Sequence, residues 1–191
     1  DANGNIITPN VTTVHRVQLA YSEVDEDGTF KITDASGNVA TVTKNDDGTA
    51  NVSVVDSQGN AIASLDDGSG NPVNITFTSD DNYVPGDDEI AINTQLGEVL
   101  LGENVYNNTY TNNSFSVQYD KSNFKKGDVN PTMYFDCVDN VTGIVYQKKD
   151  EDIEYNVNFT QKLKVNTQAS ESFNIYLGRN VDDLVNAVQN V

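Results

Sequence analysis

Asp-Gly pairs that recur at a fixed interval restrict this chain more than any other feature. Asp27-Gly28, Asp47-Gly48 and Asp67-Gly68 are spaced 20 residues apart, with Gly37-Asn38 and Gly59-Asn60 roughly midway. Asp-Gly and Gly-Asn tolerate the positive φ angles that tight hairpin turns demand. Between them lie short alternating runs: Phe30/Ile32, Val39 to Val42, Val52/Val54, Ile62 to Leu65 and Val73/Ile75/Phe77. Turns this closely spaced predict a meander of antiparallel strands. The interval is that of hairpins rather than of a solenoid.

The same period of two extends to both sides of this region. Val11 to Tyr21 reads as a first strand with Val17, Leu19 and Tyr21 on one face. Beyond the acidic, Pro-containing segment 80–88 come Ile90/Ile92, a turn around Gly97, Val99 to Leu101, and a strand at Phe115, Val117 and Tyr119. An Asn/Thr-rich loop is expected from Asn107 to Asn113, a charged turn from Lys121 to Asp128, an apolar run at Met133 to Val138 and a strand at Ile144 to Tyr146. Ile153, Tyr155, Val157 and Phe159 then alternate with polar residues, and Leu163 and Val165 alternate with Lys162, Lys164 and Asn166. This pattern predicts a hairpin with one buried and one wet face.

At the end the period changes. Val181, Leu184, Val185 and Val188 fall at i, i+3, i+4 and i+7, one apolar stripe of a helix. Asn180 is placed as its N-cap, and Asp182 and Asp183 add negative charge to the first turn, where the helix dipole favours it. The stripe runs to Val191 without a stop signal, so the chain reads as a piece of a longer protein with a truncated C-terminal amphipathic helix. The expected fold is mainly β, built from antiparallel hairpins or a sandwich. The best boundary separates residues 1–82, an outer hairpin-rich domain, from residues 83–191, a second β-rich domain leading into the helix.

Composition narrows the function classes. The net charge of −18 argues against nucleic acid and anionic membrane, because phosphate binders cluster Lys and Arg. No apolar run approaches the roughly 20 residues of a membrane span. Residues 1–100 hold 17 acids and 3 bases, whereas residues 101–191 hold 12 acids and 8 bases, so the first half reads as the solvated, self-repelling part. Cys137 is the one cysteine, so no internal disulfide forms, and its apolar-aromatic setting marks it as a small buried hydrophobe.

No catalytic constellation stands out. His15 is the one histidine and reads as a strand residue. The turns Asp25-Glu26-Asp27-Gly28 and Asn45-Asp46-Asp47-Gly48 hint at calcium but lack the terminal bidentate Glu of an EF-hand loop, so turn chemistry is the better account. No sequence rule selects a carboxylate pair for glycoside hydrolysis among 29 acids, and there is no Trp to stack a sugar. The seven Asn-X-Ser/Thr sequons fit a chain rich in Asn and Thr, several inside expected strands. The expectation is a protein that is not an enzyme and takes no cofactor or metal.

Three stretches carry a family resemblance. GEVLLGENVY from Gly97, VQYDKSNFKKGDVNPTMYFDCVD from Val117 and IEYNVNFTQKLKVNTQASESFNIYLGRNVDDLVNAVQNV from Ile153 resemble the type 3 flagellar hook-associated proteins, the hook–filament junction proteins related to flagellin. The resemblance covers the second half, and residues 1–96 match less specifically, as an outer β domain would. It implies a structural subunit of the bacterial flagellum, exported without a cleaved signal peptide and placed outside the cell. Its partners would be other hook-associated proteins, flagellin and copies of itself, with the terminal coils in the inner tube and the β-rich middle outward. Val181, Leu184, Val185 and Val188 would then start the returning coil and mark a subunit interface, while the present chain alone should be monomeric. The alternative reading is an Ig-like surface adhesin, or another module binding a ligand or calcium on its acidic loops.

Overall fold

The structure, a computed structural model, describes residues 14–108, 115–148, 152–167 and 175–177, with residues 179–181, Leu184 and Val188 beyond them. It is mainly β, as its patterning predicts, and it divides into two units, Asp1–Asn123 and Phe124–Val191.

The first unit contains two sheets. One has the order β5-β4-β3-β2-β9, formed by β2 (Phe30–Thr33), β3 (Val39–Lys44), β4 (Ala50–Val55), β5 (Ala61–Ile62) and β9 (Ser116–Tyr119), all antiparallel. The other has the order β1-β8-β7-β6, formed by β1 (His15–Gln18), β6 (Asn74–Phe77), β7 (Glu89–Asn93) and β8 (Glu98–Leu101). The expected all-antiparallel pattern fails at one place, because β6 and β7 run parallel. The expected boundary at residues 82 and 83 lies between these two paired strands, inside the first unit.

A unit of five residues builds the meander. Asp34-Ala-Ser-Gly-Asn38, Asn45-Asp-Asp-Gly-Thr49, Asp56-Ser-Gln-Gly-Asn60 and Asp67-Gly-Ser-Gly-Asn71 begin 11 residues apart, so the working period is 11 rather than 20. In the first three, the fourth residue's N–H donates to the first residue's carbonyl, and the first N–H donates to the fifth carbonyl. Gly37, Gly48 and Gly59 take φ between 79° and 86°. This is a type I turn closed by a glycine bulge, which carries one strand into its antiparallel neighbour. The Asp carboxylates tie the turns down. Asp56 Oδ1 accepts from the N–H groups of Gln58 and Asn60, and its Oδ2 accepts from Asn60 Nδ2.

Period-two side chains then fill the core. Phe30, Ile32, Ala40, Val42 and Val54 from one sheet, and Ile75, Ile90, Ile92, Val99 and Leu101 from the other, are buried. Phe30 meets Phe77 edge-on with ring centroids 5.9 Å apart, so the two sheets share one core. The far face of the second sheet is also covered. Ala91 and Leu100 are buried there, while Tyr83 O–H donates to Glu89 and Arg16 Nη2 donates to the Asp81 carbonyl. The acidic segment 80–88 is thus a cover drawn over a strand pair.

A short helix, α1 (Glu103–Asn108), occupies the start of the expected Asn-rich loop. It buries Val105 and lays Tyr106 flat on His15, with ring centroids 3.6 Å apart.

The second unit is made of small pieces. The expected apolar run at Met133 to Val138 divides into α2 (Pro131–Tyr134), capped by the Asn130 side chain, and β10 (Cys137–Val138). β10 pairs with β11 (Val145–Tyr146), and β12 (Glu154–Asn158) pairs with β13 (Gln161–Lys164), both antiparallel. Cys137, expected as a small buried hydrophobe, is only half-buried, because a two-residue strand in a two-stranded sheet offers little cover.

Candidate assembly surface

The hairpin of β12 and β13 forms where the alternation places it, with Tyr155 opposite Leu163, Asn156 opposite Lys162 and Glu154 opposite Lys164. Its ends are closed by hydrogen bonds from Val165 N–H to the Ile153 carbonyl and from Ile153 N–H to Asn166 Oδ1. The register shifts between Asn156 and Asn158, a bulge next to the turn.

Period two gives the hairpin two unlike faces. One is ionic: Lys162 Nζ lies 2.8 Å from Glu154 and Lys164 Nζ lies 2.7 Å from Asp152. The Glu154 carboxylate holds the Lys162 ammonium above its ordinary pKa, chiefly through the hydrogen bond between them. The other face gathers Ile153, Tyr155, Val157, Leu163 and Val165.

That apolar face was expected to be buried, and it is not. Ile153, Tyr155, Val157 and Leu163 are between 57% and 65% exposed, and Phe159 at the turn is fully exposed. The reason is geometric. A two-stranded sheet has no second layer of its own, and an isolated hairpin is at best marginally stable in water. Val138, Val141, Ile144 and Val145 on the neighbouring hairpin and Met133 on α2 are exposed as well.

The helical stripe behaves in the same way. Val181, Leu184 and Val188 have helical backbone and are 50%, 64% and 69% exposed. Val185, the fourth residue of the stripe, lies outside the described residues. Large apolar side chains gathered on an exposed face, as on the β12–β13 hairpin, mark a surface that another protein covers.

The polar candidates resolve into local structure. Asp34, Asp56 and Asp67 spend their carboxylates on the N–H groups of their own turns. Asp56 and Asp47 are held below the usual carboxylate range, the first chiefly by the Asn60 side chain and the second chiefly by Thr49. Asp25 accepts from Ser122 Oγ, and Asp120 accepts from Thr29 N–H, tying the first acidic turn to the end of β9. Among the described residues, no three His, Cys, Asp or Glu side chains converge to hold a metal ion. His15 sits in β1 as expected, and it also contacts the Glu103 carboxylate at 2.8 Å. That hydrogen bond is the main cause of the lowered Glu103 pKa.

The polar cluster that pattern-reading missed surrounds Glu89. Its carboxylate accepts from Thr76 Oγ1 at 2.6 Å, Tyr83 O–H at 2.9 Å and Gly86 N–H at 2.8 Å. Burial alone would raise the Glu89 pKa, but these three donors outweigh it and the carboxyl lies below its ordinary value. The role of the cluster is structural, latching the 80–88 cover to β6 and β7.

No protein-family model matches this chain, and neither a curated protein nor a solved structure matches it.

Proposed function

We propose that this chain is a structural assembly subunit, the surface-exposed middle part of a flagellar hook–filament junction protein. The observation that carries the reading is the unburied apolar face of the β12–β13 hairpin, which leaves large side chains in water unless a neighbour covers them. The resemblance of the second half to the hook-associated family supplies the kind of neighbour: hook-associated proteins, flagellin and other copies of this chain. In this reading the stripe of Val181, Leu184, Val185 and Val188 is a further contact, and subunits join through heterologous contacts of helical type. The first unit, with its acidic turns and buried core, belongs to the β-rich middle that projects outward from the inner tube. The chemistry is that of packing, with no catalysis and no cofactor. An adhesin using its acidic turns is less well supported, because those carboxylates are engaged by their own turns.

Immunogold electron microscopy with antibodies raised against the first unit tests this directly. Label confined to the junction between hook and filament, together with filament loss when the gene is disrupted, is the expected result. Label spread over the cell wall of the parent strain, together with intact filaments and motility when the gene is disrupted, would reject the junction role in favour of an adhesin.

A further inference from the structure

We draw no further inference here: the strongest candidate, the apolar face of the β12–β13 hairpin in the second unit, already carries the proposed function, and nothing in the structure shows what covers it.

Discussion

Phe30 and Phe77 stand edge to face across the core of the first unit, their ring planes 70° apart. The contact joins β2 of one sheet to β6 of the other, and Phe30 is fully buried. Replacing Phe30 by Ala removes this contact and leaves a cavity between two sheets that cannot close over it. The expected loss is about 3–5 kcal/mol of unfolding free energy, read as a shift of the urea midpoint. Val52 on β4 is 38% exposed, and Val52→Ala should cost under about 1 kcal/mol. Equal losses for the two variants would mean that the shared core is misplaced.

The turn glycines separate two kinds of constraint. A Cβ on Gly59 would meet open space, so the cost of Gly59→Ala is its φ of +86° alone, about 1–2 kcal/mol. Gly97 also has positive φ, but a Cβ there would collide with the Tyr21 carbonyl oxygen, where residues 19–24 run along the β7–β8 turn. Gly97→Ala should therefore be clearly the more destabilising in thermal melts. The reverse order would contradict the pairing of Leu19 N–H with the Gly97 carbonyl.

These turns also show what could be read in advance and what could not. Asp-Gly and Gly-Asn announced hairpins, and the alternation around Phe30, Val42 and Val54 announced the faces that became the core. The pairs in Asp27-Gly28, Asp47-Gly48 and Asp67-Gly68 suggested an interval of 20, yet they do not occupy equivalent places. Gly48 closes an Asn45–Thr49 turn, while Gly28 takes no positive φ and Asp67 opens its turn. The first residue of each turn, not the Asp-Gly pair, keeps the interval of 11. The parallel pairing of β6 with β7 was illegible because it depends on a long connection, and the acidic residues of that connection resemble a linker. Glu89 was hidden among 29 acids, since its role rests on how the connection folds back to bring Tyr83 and Gly86, with Thr76 of β6, onto one carboxylate. The hairpin face was legible in pattern but not in burial, because alternation reports which side is apolar and not whether anything lies against it.

The Glu89 latch predicts a pH dependence. The folded-state pKa is lowered, so the latch contributes stability above the unfolded value of about 4.3 and loses it as pH falls through the lowered value. Glu89→Gln keeps the shape but replaces one acceptor oxygen with an amide that donates, facing Gly86 N–H or Tyr83 O–H. Urea midpoints of the variant should lie below those of the parent at pH 7, and the two should converge as the pH drops below about 4. A gap that stays constant with pH would show that Glu89 acts by packing alone. Tyr83→Phe, which removes one donor, should reproduce part of the effect in the same pH range.

The apolar hairpin face sets the most direct test of the assembly reading. Tyr155 and Leu163 face each other across β12 and β13, and both are more than half exposed. Changing both to Ser should leave the thermal melt of the first unit unchanged, because its core is built without them. The parent chain alone should run as a monomer by light scattering at low micromolar concentration, and a stable dimer there would count against the reading. In a cell carrying the double variant, incorporation at the hook–filament junction and swarming should both fail while secretion continues. Should the double variant still swarm and label the junction normally, the face would not be a subunit contact. A drop in the melting temperature comparable to that of Phe30→Ala would instead place these side chains inside the chain's own core, and the exposed face would have to be covered by another part of the same molecule.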